Sequence, residues 1–286
     1  MTRILVTNDD GIASTGLHVL ARTIRKHGDV VVVAPEVEHS GAGAGVGPLH
    51  LIKPQARTTT IEGVEEAWCV NGSPALCTMF ARFGVFGPID LVVSGINPGA
   101  NVGRAVYHSG TVGAALTARN GSASGVAVSQ AVAGFGVEGQ GWDEMILDQH
   151  WQTAADVAAV VVAELVATPP SEPVVVNINV PNLHVDEIRG WRHASVAATP
   201  PRAITSARLD PIAGTEGCYA IRMEYGDTIL APSDTDSGAI ERDEVAITYL
   251  SRLVAEPRDD LSRVDEALAA LLGSSDRAGQ RGTPRS

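Results

Sequence analysis

The sequence predicts an α/β fold on a mainly parallel sheet, and three observations carry that expectation. Several short runs are apolar and largely β-branched without alternation, as in Ile4-Leu5-Val6, Val30 to Val33 and Ile89 to Ser94. Strands of that kind are buried on both faces, as in parallel sheets. Segments of helical periodicity separate them, and polar or glycine-rich loops follow them, where open α/β sheets carry their ligands.

The chain has 286 residues, enough for one large α/β domain or a domain with an extension. Its 44% hydrophobic content and near-zero mean hydropathy fit a soluble globular protein. No apolar run approaches the ~20 residues of a membrane span. The amino terminus enters a strand at once, which leaves no room for a signal peptide. The expected location is therefore the cytoplasm, and the expected partners include no membrane. Cys69, Cys77 and Cys218 lack CxxC spacing and read as free core thiols in a reducing compartment. A net charge of −12 would repel a long nucleic acid.

In chain order, Arg3 to Thr7 reads as a buried strand that runs into Asn8-Asp9-Asp10-Gly11. Two adjacent carboxylates at a strand end are costly to bring together unless a cation sits between them. The same residues also suit a turn or the cap of the next helix. Leu17, Leu20, Ala21 and Ile24 give that helix, Thr15 to Lys26, its apolar face, and Gly28 reads as its C′ residue. Val30 to Val33 is the second strand, followed by Ser40 among small residues. Residues 49 to 70 read as a hairpin or an irregular excursion. Ser73-Pro74 is a helix start, with serine as N-cap and proline at N1.

Ile89 to Ser94 is the next strand, and Gly95 to Gly103 is a polar, glycine-rich loop. Ser109-Gly110-Thr111 opens a helix through Arg119, and Gly125 to Ser129 is a further strand. Residues 130 to 148, with Trp142, read as a flap or a loop. Ala154, Val157, Val161 and Leu165 stripe a long helix, and Val174 to Val180 is a strand. The expected division is a core over residues 1–184, a β-rich arm over 185–243, a final strand and helix over 244–272, and a disordered tail over 273–286.

Three loops are thus expected at one sheet edge: Asn8 to Gly11, the Ser40 loop and residues 97 to 111. They bring two carboxylates, hydroxyls and amide oxygens, a hard-oxygen set suited to Mg²⁺, Mn²⁺ or Ca²⁺. A helix start such as Ser109-Gly110-Thr111 favours an anion. Metal beside phosphate is the arrangement of a metal-assisted phosphate hydrolase.

ILVTNDDGI, VAPEVEHSGAG, SGINPGANVG, HSGTVGAAL and NINVP, in that order, resemble the SurE family (survival protein E), 5′/3′-nucleotidases. TDSGAIERDEVAITYL resembles its late strand. The resemblance implies a Rossmann-like three-layer α/β fold with a carboxy-terminal arm that mediates homodimers or homotetramers. It implies hydrolysis of phosphate from nucleoside monophosphates with one divalent metal per subunit. By position it implies Asp9, Asp10, Ser40 and Asn97 as metal ligands. Asn101, Ser109, Gly110 and Thr111 would bind phosphate, and Asp9 or Asp10 could take a proton from the attacking water.

Some positions depart from the family's usual pattern. Arg104-Ala105 replaces an acidic pair, His108 a tyrosine, Thr117 a glutamate, Leu76 an aspartate and Gly43 a serine. Two alternatives follow: a phosphatase for another small phosphate ester, or a catalytically silent nucleotide-binding relative. A response-regulator receiver also pairs acidic residues after its first strand. It needs a phospho-accepting aspartate where this chain has Ser94-Gly95-Ile96-Asn97, and a later lysine that is missing. His39 and His108, each before a site serine, read as pocket lining ahead of a proton-transfer role, and Asp234-Thr235-Asp236 as an exposed turn of the arm ahead of a metal site.

Overall fold

In a computed structural model of the protein, residues 1–132, 144, 146–198, 204–227 and 229–273 are described. In chain order the strands are β1 (Arg3–Thr7), β2 (Asp29–Pro35), β3 (Ala56–Ile61), β4 (Val64–Val70), β5 (Leu91–Pro98), β6 (Ser124–Gln130), β7 (Val175–Val180), β8 (Gly190–His193), β9 (Ile204–Pro211), β10 (Tyr219–Tyr225) and β11 (Glu244–Leu250). The helices are α1 (Thr15–Ile24), α2 (Leu49–Ile52), α3 (Pro74–Arg82), α4 (Gly110–Asn120), α5 (Trp151–Ala167), α6 (Asp236–Ile240) and α7 (Ser262–Leu272).

Nine strands form one sheet in the order β3-β4-β2-β1-β5-β6-β7-β11-β8. The six from β4 to β7 are mutually parallel, while β3 and β11 run antiparallel to their neighbours β4 and β7. Strand β1 lies inside the sheet, so both its faces must be apolar, and alternation sends its residues to two different layers. Ile4 and Val6 pack with Leu17, Leu20 and Ile24 of α1 and the alanines of α5. Leu5 faces the other way, with Cys77 and Ala81 of α3 and Ala118 of α4. Each fully buried Leu, Ile or Val side chain among them contributes about 1.5–3 kcal/mol. The result is the expected three-layer α/β fold.

The helix starts follow their sequence signals. The Ser73 hydroxyl accepts the Leu76 N–H at 3.2 Å, with Pro74 in the first turn. Ser109 caps α4 by accepting the Val112 N–H at 3.1 Å. Other expectations need correction. Gly28 ends the first helical segment in extended backbone rather than in the left-handed region. Glycine suits it because a Cβ would stand 2.5 Å from the Thr2 carbonyl oxygen. The fully buried face of α5 includes Ala154, Ala155, Ala158, Ala159 and Val162, whereas Val157, Val161 and Leu165 flank it. Small side chains let α5 approach the core closely, which a search for large apolar residues passes over. Cys69 and Cys77 are buried as expected, but Cys218 is exposed.

Residues 49 to 70 hold the β3–β4 hairpin, and β4 then joins β2 in parallel. At the other edge β8, expected within the arm, pairs with β11 in the main sheet. Strands β9 and β10 form a separate antiparallel pair. Tyr219, Ile221 and Met223 line one face of that pair opposite Pro211, Leu209 and Ala207. Its other face carries the Arg208–Asp210, Arg208–Glu224 and Arg222–Asp210 ion pairs. The chain forms two compact units, residues 1–251 and a second that begins at Arg252. In the second, α7 has no buried residue among those described. The 130–148 segment lies largely, and the tail beyond Gly273 wholly, outside the described residues.

Candidate active site

Strand β1 ends in the middle of the sheet, and its last residues hand the chain to Asn8, Asp9 and Asp10. The turn is fixed to the end of β2 by the Ile12 N–H donating to the Pro35 carbonyl at 2.8 Å. Gly11 turns it with φ +97°. The Asp9 carbonyl in turn accepts the His39 N–H at 2.7 Å, and the Gly43 N–H donates to the His108 carbonyl at 2.9 Å. These bonds draw the loops after β1, β2 and β5 together.

Asp9 is buried, and its carboxylate rests on the start of α4. The Thr111 hydroxyl donates to Asp9 Oδ1 at 2.5 Å, and the backbone N–H groups of Gly110 and Thr111 favour its ionised form. Gly110 is required here for space, because a Cβ would stand 2.8 Å from both Cβ and Oδ2 of Asp9. Partial positive charge at the helix start and a charge-assisted bond both favour the ionised carboxylate. Burial pushes the Asp9 carboxyl up, and these bonds pull against it.

Asp10 has weaker support, from its own backbone N–H and the Asn8 side chain. Its Oδ2 is buried without a hydrogen-bond partner. Burial pushes its carboxyl up to about 8, and the negative charges of Asp9 and Glu38 add to that effect. Burial thus raises both carboxyls, and Asp10 has the weaker set of bonds to hold its charge. An orphaned acidic oxygen beside a second carboxylate fits a cation.

The other expected metal ligands come from the facing loops. Asn97 donates its amide N–H groups to the carbonyls of Pro98 and Gly99, at 3.2 and 2.6 Å. Its Oδ1 lies 3.4 Å from the Thr111 hydroxyl. Ser40 is exposed and donates its hydroxyl to Glu38 Oε1 at 2.7 Å, which leaves oxygen lone pairs free. Among the described residues no three His, Cys, Asp or Glu side chains form a metal-holding group. An ion here would depend on Ser40 and Asn97 oxygens as well as the two carboxylates, a set that suits a hard cation.

Asn101 makes its bonds in a second cluster. Its amide donates to Ser129 Oγ at 2.8 Å, and its backbone N–H donates to Asn179 Oδ1 at 2.7 Å. Its carbonyl accepts from Asn177 and Asn179, at 2.9 and 3.1 Å. Sequence reading assigned no role to Glu38, Ser129, Asn177 or Asn179. Two asparagines alternating in the apolar strand β7 were the available signal, because amides buried there must find partners.

The positions that depart from the family pattern are spread out. Leu76 is fully buried in the core. The Thr117 hydroxyl donates to the Gly113 carbonyl within α4, and Arg104 donates to the Ala198 carbonyl at 3.2 Å. His108 is exposed, and His39 is half-buried.

A family model described as survival protein SurE matches residues 4–202. The chain is 35% identical over 249 residues to the 5′-nucleotidase SurE of Mannheimia succiniciproducens, covering 86% of this chain and 90% of that one. It is 34% identical over 249 residues to the 5′/3′-nucleotidase SurE of Serratia proteamaculans, with 87% and 89% covered. The fold matches the crystal structure of the SurE protein from Aquifex aeolicus with a TM-score of 0.71. That match has 25% identity and covers 94% of this chain and 99% of that one.

Proposed function

The chain belongs to the survival protein SurE family, and from that membership we propose that it is a nucleotidase, a phosphomonoester hydrolase acting on nucleoside monophosphates. The observation that carries this reading is the Asp9–Asp10 pair. One carboxylate is held on a helix start, and the other has a buried oxygen with no partner.

Asp9, Asp10, Ser40 and Asn97 would hold one Mg²⁺ or Mn²⁺ ion, and the same oxygens could accept Ca²⁺. When bound, such an ion supplies positive charge for the phosphate oxygens and makes a water more acidic. The protein's own groups do the positioning. Thr111 and Gly110 fix Asp9, the loop carbonyls fix the Asn97 amide, and a bound cation would favour the ionised form of Asp10. Asp9 or Asp10 is also the proposed acceptor of a proton from the attacking water.

Ser109, Gly110, Thr111 and Asn101 are assigned to phosphate binding. Gly110 and Thr111 already serve Asp9, and the Ser109 hydroxyl caps α4. The Asn101 amide bonds Ser129 through one of its two N–H groups, and the second is the donor we assign to a phosphate oxygen.

The β9–β10 pair supports a homodimer or homotetramer. Two strands alone are marginally stable in water, and Tyr219, Ile221, Met223 and Leu209 are exposed on them. A second copy of the chain is the proposed cover. Among the described residues no helix is long and apolar enough to cross a membrane, and the proposed location is the cytoplasm.

Phosphate release from a panel of nucleoside monophosphates and other phosphate esters, with Mg²⁺, Mn²⁺ or EDTA, tests the reading. Metal-dependent release led by nucleotides is expected. Release led by a non-nucleotide ester would shift the substrate class. Binding of nucleotides without release would make the protein a silent relative.

A further inference from the structure

Asp236 was expected in an exposed turn, and the structure places it at zero exposure. It opens the short helix α6, where the chain returns from the β9–β10 arm. A carboxylate taken out of water is costly unless its oxygens are satisfied by hydrogen bonds. Here they are satisfied by backbone N–H groups from three places. Oδ1 accepts from Ala197 at 2.9 Å and from Ser237 at 2.8 Å. Oδ2 accepts from Gly103 at 2.9 Å.

The two oxygens therefore face different parts of the molecule. Oδ1 gathers the root of the arm, where the outgoing and returning chains already meet. There the Ser195 N–H donates to the Asp234 carbonyl at 3.0 Å, and the Asp236 N–H to the Ser195 carbonyl at 2.9 Å. Oδ2 reaches the loop that carries Asn101. That loop is held at residue 101 by Asn177 and Asn179, and at residue 103 by Asp236. Ala197 also sits against Gly103, with its carbonyl oxygen 3.2 Å from where a Cβ would stand.

We propose that Asp236 is a positioning residue for the phosphate end of the substrate, holding the Asn101–Gly103 loop to the root of the arm through the Gly103 N–H. The proposal rests on the assignment of Asn101 to phosphate binding. It gives the arm a second role, since an element proposed for assembly also fixes the site loop.

Asp236→Asn separates this role from folding. The amide oxygen remains opposite the two donors of Ala197 and Ser237, so the amide nitrogen faces the Gly103 N–H, donor against donor. Losing a hydrogen bond to a charged group is worth on the order of 10- to 100-fold. The variant should exchange its Gly103 amide at least about 10-fold faster, on that same scale. KM for a nucleoside monophosphate and the inhibition constant of inorganic phosphate should each rise about 10-fold or more, and kcat should change less. Mn²⁺ affinity and sedimentation should match the parent.

Faster Gly103 exchange with unchanged phosphate inhibition would overturn the proposal, as would unchanged exchange. Loss of Mn²⁺ affinity and melting temperature together with phosphate affinity would also overturn it, because the residue would then be only structural. If the parent itself binds no phosphate, the reading of the site fails and the proposal falls with it. If the parent binds phosphate and the variant binds it equally, the proposal alone fails.

Discussion

Replacing Gly110 by alanine tests whether the start of α4 exists to seat Asp9. Gly110 is the first residue of a regular helix with no positive φ, so the backbone accepts alanine without strain. The added methyl would stand 2.8 Å from Cβ and Oδ2 of Asp9 and 3.1 Å from its Cγ. Comfortable carbon contacts lie at about 3.5–4.0 Å, so the carboxylate must retreat by roughly 0.7 Å or more. Metal sites tolerate deviations of about 0.2 Å, and a displacement of about 1 Å at a reacting centre costs on the order of 100-fold. Stability changes little by comparison. Overpacking costs about 1–3 kcal/mol, and alanine returns up to about 1 kcal/mol of helix propensity. At about 2–4 °C per kcal/mol for a chain of this size, the melting temperature should fall by no more than about 12 °C. Mn²⁺ titration and steady-state phosphate release on the folded variant read the effect. A loss of about 100-fold in both is expected. A folded Gly110→Ala protein with the parent's metal affinity and turnover would refute the reasoning.

Thr111→Val keeps the β-branched shape and removes the hydroxyl that bonds Asp9 Oδ1. Mn²⁺ affinity at neutral pH should fall on the order of 10-fold or more, for one charge-assisted bond of about 1.5–3 kcal/mol; unchanged affinity would detach Thr111 from the metal site. The Asp10 carboxyl, raised from 3.8 to about 8 in the folded metal-free protein, means that the folded state binds the extra proton. Its stabilising contribution is complete below the unfolded value and is lost as pH rises through the folded one. The melting temperature of metal-free protein should therefore decline over that interval, and apparent Mn²⁺ affinity should climb over it; calorimetry and titration at several pH values check both. Replacing Ile221 and Met223 by serine should shift sedimentation toward the monomer, and an unchanged oligomer would show that another surface holds the subunits.

What was legible in the sequence was local. The Arg3–Thr7 strand, the Ser73-Pro74 helix start and the Ser109 cap depend on residues within one turn of each other, so their signals lie side by side. The convergence of three loops followed from topology, because parallel strands deliver their carboxyl ends to one edge. What was not legible depends on packing between distant segments. Nothing near Asp236 announces that the Gly103 N–H will meet it across 133 residues. The start of α4 also meets the protein's own Asp9, a contact made across 102 residues. Local sequence shows that a helix start attracts negative charge but not which charge arrives. The small buried face of α5 and the short edge strand β8 escaped for a related reason, since size and length hide their periodicity.

The central claim is that Asp9 and Asp10 form a divalent-metal seat required for phosphate-ester hydrolysis. The most direct measurement is Mn²⁺ binding by electron paramagnetic resonance, paired with phosphate release from a nucleoside monophosphate. It would be made on the parent and on Asp9→Asn and Asp10→Asn, with and without EDTA. One ion per subunit in the parent, little or none in either variant, and release only where the ion binds would bear the claim out. Release that persists in EDTA, or variants that bind Mn²⁺ as the parent does, would contradict it.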